Sequence, residues 1–282
     1  MNPLAPPAAV RWAIGLVVGM AFAIPFVGTL LFTLRLTDGG YTAERWLAVL
    51  DPANARALAP VWTGLVNSLV LAAVTVVLVL VLFTPTMVLV ALKFPRMRRA
   101  FEFLALLPIS IPAIVLVVGL TPIYLAIGRS LGTGAWTLAF AYGVLVLPFA
   151  YRSIQAAIDA IDLKTLSEAA RTLGAGWATV LMRVIAPNLR TGLLAASLIS
   201  VAVVLGEFTI ASLLNRQVLQ TGLVLINRQD PWAAAIFTLL ALAFAFVLLL
   251  VIGRAGRIGA AGSSRPARAR STIVRPPKGK TS

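Results

Sequence analysis

Six stretches of this chain are apolar for about the length a helix needs to cross a bilayer, and little else about the fold is left free once they are counted. At ~1.5 Å of rise per residue, roughly 20 residues cover the ~30 Å of hydrocarbon. The stretches are residues 12–34, 65–92, 104–127, 135–151, 193–214 and 232–252, the fourth being the shortest. Within lipid the backbone must satisfy its own hydrogen bonds, so each is expected to be helical. Composition agrees, with 60% apolar and 12% charged residues, where soluble domains run near ~45–50% and ~25%. The expected fold class is therefore an all-α integral membrane protein with six transmembrane helices.

The first run follows Arg11 and covers 23 residues. That exceeds the ~7–15 apolar residues of a signal peptide, so a retained span is expected. Orientation follows from the basic residues between spans. With both termini in the cytoplasm, 18 Lys and Arg lie inside and 6 outside, as the positive-inside bias requires. The net charge of +15 is thereby assigned to membrane topology, not to nucleic acid. Three regions are expected: a cytoplasmic N-terminus (1–11), a transmembrane domain (12–254), and a basic, disordered cytoplasmic tail (255–282).

The chain has no Cys and no His, which removes thiolate and imidazole chemistry, disulfides and the usual metal ligands. No G-x-x-x-x-G-K-[ST] phosphate loop is present. The chain is expected to be no enzyme and to carry no cofactor or metal of its own.

Between the fourth and fifth spans lies a segment too polar to cross and too patterned for a linker, residues 159–187. Leu163, Leu166, Ala169, Ala170 and Leu173 recur at helical spacing, with Lys164, Glu168 and Arg171 on the polar side. Gly174 and Gly176 interrupt the pattern. A second stripe follows, Trp177, Val180, Leu181 and Val184, closed by Pro187. The expectation is helix, glycine turn, helix on the cytoplasmic face. By apolar pattern alone it is equally an amphipathic helix resting on headgroups.

Glu168-Ala169-Ala170, then Gly174, then Val184-Ile185-Ala186-Pro187 resembles the E-A-A loop of ABC importer permeases, including the offsets between its parts. Val184 stands where Ile is usual and Ala186 where Leu is usual. Asn67-Ser68-Leu69, the prolines Pro108 and Pro112, and Gly206-Glu207-Phe208 resemble further features of these permeases, most of all the spermidine/putrescine-type group. The resemblance covers roughly residues 60–253.

It implies the type I importer permease fold in a bacterial cell membrane, with the loop presenting a coupling helix to a separate ATPase subunit that binds the ATP. The ATPase-docking residues would be Glu168, Ala169, Ala170, Gly174, Trp177, Val184 and Pro187. The implied partners are ATP-binding cassette ATPase subunits, a second permease subunit (homologous or identical) and an extracytoplasmic solute-binding protein. A polyamine is the solute favoured by the pattern, with ferric iron, thiamine and phosphonate as alternatives. A secondary transporter would need ion-coupling carboxylates and repeated halves. A membrane-embedded enzyme would need several polar residues converging at bilayer depth.

Glu207 is the one acidic residue within a predicted span. A carboxylate at that depth costs several kcal/mol unless it faces protein or water, so a translocation-path role and a hydrogen bond to a neighbouring helix are both open. Pro108 and Pro112 are read as a gate element or a kink, and Asn67 as a path residue or an interhelical hydrogen-bonding group.

Overall fold

The computed structural model describes residues 7–36 and 38–261, without the side chains of residues 252 and 255–261. The described residues are helical almost throughout. Helix α1 (Ala8–Leu34) ends in a turn closed by an antiparallel bridge between Arg35 and Tyr41. Short α2 (Glu44–Leu50) leads into α3 (Ala55–Leu78), which continues through a π-helical turn (Val79–Phe83) into α4 (Thr84–Lys93). Amphipathic α5 (Arg98–Leu106) precedes α6 (Ala113–Ser130) and α7 (Ala139–Asp159). The loop that follows holds α8 (Leu163–Thr172) and α9 (Trp177–Thr179), which passes through a second π-helical turn (Val180–Ile185) into α10 (Ala186–Asn188). Then come α11 (Arg190–Gly206), α12 (Thr209–Leu213), α13 (Leu219–Asn227) and α14 (Pro231–Ala261).

Among the described residues, five helical runs are long and apolar enough to cross a bilayer. The sixth is reached when α9–α10 and α11, bent by 80° at Leu189, are taken as one broken span. Several expected boundaries move. The second run extends over Pro52–Lys93, 42 residues, which at 1.5 Å each is roughly 60 Å and exceeds the hydrocarbon about twofold. The third span starts at Ala113, not at residue 104, because Pro108 and Pro112 separate it from α5. The fourth continues to Asp159, and the fifth stops at Gly206. Helix α14 runs on to Ala261, so the disorder expected from residue 255 does not begin there. Residues 262–282 of that tail, and residues 1–6, lie outside the described residues.

Both π-helical turns sit just before a proline, Pro85 and Pro187. A proline ring clashes with the carbonyl four residues back. Widening the preceding turn relieves that contact. Side chains also donate to carbonyls within the widened turns: Thr84 Oγ1 donates to Val79 O at 3.2 Å, and Asn188 Nδ2 donates to Val184 O at 2.7 Å.

The buried side chains fall into two clusters stacked along α7 and α11. The outer cluster joins α3, α7, α11, α13 and α14 through Leu71, Leu138, Tyr142, Val204 and Ile236. The inner cluster joins α4, α5, α7 and α11 to the 159–187 loop through Met87, Ala105, Ile154, Leu163, Val180, Ile185 and Leu189. Glycines set two close crossings. A Cβ on Gly192 of α11 would stand 2.6 Å from Ala157 Cβ and 2.7 Å from Ser153 O on α7. One on Gly222 of α13 would stand 2.5 Å from Pro60 O on α3. Helix α1 stands apart, with Thr33 its one buried side chain among the described residues. Phe32 stacks on Trp232 at 6.1 Å and Trp46 Nε1 donates to Thr33 Oγ1 at 3.1 Å, tying only its end to α2 and α14.

Candidate functional site

The loop of residues 159–187 begins at a fixed point. The two carboxylate oxygens of Asp159, at the end of α7, both accept from Arg98 Nη2 at 2.8 Å, which holds α5 against it. Three residues later Asp162 caps α8. Its carboxylate accepts from the Thr165 backbone N–H at 3.1 Å and from the Thr165 hydroxyl at 2.6 Å, satisfying a donor that the first helical turn leaves free. These bonds favour the ionised form and hold the Asp162 carboxyl below its ordinary range.

Helix α8 buries Leu163 and Ser167 and turns Ala170 toward the inner cluster. That corrects the expected single apolar face. Ser167 lies inside because its hydroxyl donates to Leu163 O at 2.7 Å and so needs no water. Ala169 and Leu173 point away, Leu173 being 88% exposed. Glu168 is beside them, its carboxylate 3.9 Å from Lys164 Nζ across an exposed i,i+4 pair.

Gly174 ends α8 at φ +85°. Its N–H donates to Arg171 O at 2.9 Å, and that of Ala175 reaches back to Ala170 O at 3.1 Å. This is the paired closure that a left-handed residue makes possible. Gly176 has φ −71°, so only Gly174 uses glycine's freedom. Trp177 then lies between two cations, Lys93 Nζ from α4 and the Arg171 guanidinium from α8, each 5.0 Å from its ring. Val180 and Ile185 are buried in the inner cluster and Val184 is half-buried. Pro187 is exposed, two residues before the 80° bend into α11.

The result is one rigid piece with two faces. Its inner face shares a core with the membrane helices. Its outer face offers Glu168, Ala169, Leu173 and part of Trp177, a mixed patch of small, apolar and acidic groups. All seven residues expected to dock an ATPase lie on this piece, and Val184 belongs to its packing more than to its surface. Lys93, Asp162 and Arg98 are structural parts that sequence reasoning missed. Asp162 had a readable signal, an acidic residue just ahead of a helical apolar pattern. The contact of Lys93 with Trp177 spans 84 positions and has no local signature.

The other expected site residues lie elsewhere and do not converge. Ile111 is extended, as a residue before proline must be. Pro108 and Pro112 thus divide α5 from α6 and do not bend one span. Asn67 Nδ2 donates to Gln217 O at 2.8 Å, and Ser68 Oγ accepts from Leu219 N at 2.9 Å. Both fasten α3 to the segment leading into α13. Glu207 stands at the break after α11. Its carboxylate accepts from the Tyr142 hydroxyl at 2.7 Å and from the Ile210 N–H at 3.0 and 3.1 Å. Gln220 Nε2 meanwhile donates to Leu205 O at 2.8 Å, so the interrupted helix leaves that carbonyl paired. The connection between the fifth and sixth spans is in large part the packed helix α13, with Leu219, Leu223 and Ile226 buried.

Comparison with known proteins bears on the same loop. The chain is 29% identical over 231 residues to the molybdenum transport system permease protein of Mycobacterium tuberculosis, covering 76% of this chain and 84% of that one. It is 28% identical over 239 residues to the spermidine/putrescine transport system permease protein PotB of Haemophilus influenzae, covering 77% and 80%. A 120-residue match to PotC of the same organism is 28% identical and covers 43% and 46%. Residues 84–257, which contain the whole loop, match the binding-protein-dependent transport system inner membrane components, and the chain belongs to that family.

Proposed function

We propose that this chain is the pathway-forming subunit of an ATP-driven importer for a small solute, in which separate ATPase subunits dock on the outer face of α8–α9 and bind the ATP. The observation that carries the reading is the construction of the loop. Its exposed patch and its buried face belong to one rigid element, so a push on Leu173 or Glu168 is delivered to Leu189 and the foot of α11. Rigid-body motion travels well through such a packed element. A second permease subunit and a solute-binding protein complete the assembly in this reading, with both termini in the cytoplasm.

The relatives carry solutes of two kinds. One is named for spermidine and putrescine, which are polycations, and the other for molybdenum, which neutral water holds as an oxyanion. The polyamine favoured by the sequence pattern draws no support from Glu207, whose carboxylate is engaged by Tyr142 and Ile210.

The test is to tag the chain in its native membrane, extract it gently and identify what accompanies it. ATPase subunits should copurify with the wild-type chain. They should be lost when Glu168→Arg and Gly174→Val are combined, while the chain stays folded. Transport that persists without ATP, by a chain recovered alone, would overturn the reading.

A further inference from the structure

The loop between Gly206 and Pro231 carries two basic residues, Arg216 and Arg228, and both line one cavity of about 610 Å³ beside α12 and α13. Ser212, Asn215, Gln217 and Thr221 line it too. The loop also has two carboxylates, and each is engaged in hydrogen bonds within the chain. Glu207 accepts from Tyr142 and Ile210. Asp230 caps α14, accepting from the N–H groups of Trp232 and Ala233 at 3.0 Å. Neither arginine has a carboxylate within ion-pair distance among the described residues, where the ion pairs are Arg98–Asp159 and Lys164–Glu168.

Arg216 is also held in place. Its N–H donates to Ala211 O at 2.8 Å, and its carbonyl accepts from Thr221 Oγ1 at 3.2 Å. Its guanidinium lies over Gly128 of α6, where a Cβ would stand 4.0 Å from Nη2. Its Nε–H is enclosed and has no hydrogen-bond partner among the described residues. Two guanidinium groups on one cavity, with neutral hydroxyl and amide groups lining it beside them, suit an anion with several oxygens. They repel a polycation.

We infer that this cavity is a binding site for a small oxyanion, held between Arg216 and Arg228. The site lies at the end of α11 opposite the docking loop. Its role as a station on the solute's route rests on the importer reading, whereas the binding itself does not. A tetrahedral dianion fits the space with part of its hydration shell, at ~30 Å³ per water.

The absence of cysteine from the chain makes the charge of the site directly measurable. Ser212→Cys, in the full chain in its membrane, places one thiol in the cavity wall. Leu225→Cys, on an exposed lining residue, serves as a second position should the first disturb packing. Labelling of this chain is followed by mass with two methanethiosulfonate reagents, one anionic (sulfonatoethyl) and one cationic (trimethylammonium-ethyl).

The anionic reagent should react about tenfold faster, and the preference should vanish when Arg216→Gln and Arg228→Gln are added. Sodium sulfate should slow labelling when sodium chloride at equal ionic strength does not, and spermidine should not protect. Faster reaction with the cationic reagent, protection by spermidine, or equal effects of sulfate and chloride at both positions would each overturn the site. Sulfate protection in membranes where no ATPase accompanies the chain would leave the site standing and remove the importer reading. An ATPase-bound chain with no charge preference would do the reverse.

Discussion

Two single residues define the shape of the loop at residues 159–187, and they act by different means. Gly174 acts through backbone geometry, since at φ +85° nothing lies within 4 Å of where a Cβ would go. The cost of replacing it is conformational, about 1–2 kcal/mol for an ordinary L-residue. Asp162 acts through its charge. Its folded-state pKa is lowered by two bonds to Thr165, so its contribution to α8 is complete above the ordinary value of 3.8. That contribution is lost as pH falls through the lower folded value. Hydrogen exchange at the first turn of α8, corrected for intrinsic rates, should therefore be flat from about pH 8 to about pH 5. Asp162→Ala should raise exchange there across that whole range. A wild-type loss of protection already at pH 6 would place the control in some other group. Both residues were visible in the sequence as types, a glycine after an apolar stripe and an acid before one. What could not be read was that Gly176 needs no such freedom, because only the backbone angle distinguishes the two.

At the scale of helices, the glycine crossings decide how closely elements approach. Gly192→Ala would gain about 1 kcal/mol of helix propensity in an isolated helix. In the fold the added Cβ meets Ala157 Cβ at 2.6 Å and a backbone carbonyl at 2.7 Å. Backbone cannot yield cheaply, and overpacking of this kind costs about 1–3 kcal/mol. The net prediction is destabilisation, read as a lower melting temperature in lipid nanodiscs, and an unchanged or higher value would refute the crossing.

The number of spans and the helix–turn–helix loop were legible because apolar length and helical period are local properties of sequence. The ends of spans were less so. Residues 104–106 are apolar but belong to α5, since Pro108 and Pro112 stop the helix between them. Residues 208–214 are apolar but leave the span, since the chain breaks at Glu207 and its carboxylate then holds Ile210. Hydropathy does not register such breaks. The fastening of Asn67 to Gln217 crosses 150 positions and could not be found by any local rule.

For the molecule as a whole, the division of the core into outer and inner clusters separates stability from coupling. Leu138 and Leu189 are both fully buried, the first in the outer cluster and the second in the inner. Replacing either by Ala should cost about 2–5 kcal/mol of packing. Only Leu189→Ala loosens the piece that bears the proposed docking patch. Both should lower the melting temperature, but in the proposed assembly Leu189→Ala should also lower the ratio of transport to ATP hydrolysis, whereas Leu138→Ala should leave that ratio intact. Equal uncoupling by both would mean that the two clusters move as one body.

The π-helical turns before Pro85 and Pro187 add a rule about spacing. Each houses one residue more than an α-helical turn does, and each residue of an α-helix rotates the chain by about 100°. Deleting a single residue from 180–185 would therefore do more than shorten the loop. It would swing Trp177 away from Lys93 and carry Leu173 around with it. Insertions and deletions should accordingly be far less tolerated in these few positions than substitutions, so the length of this segment carries information that no individual side chain in it does.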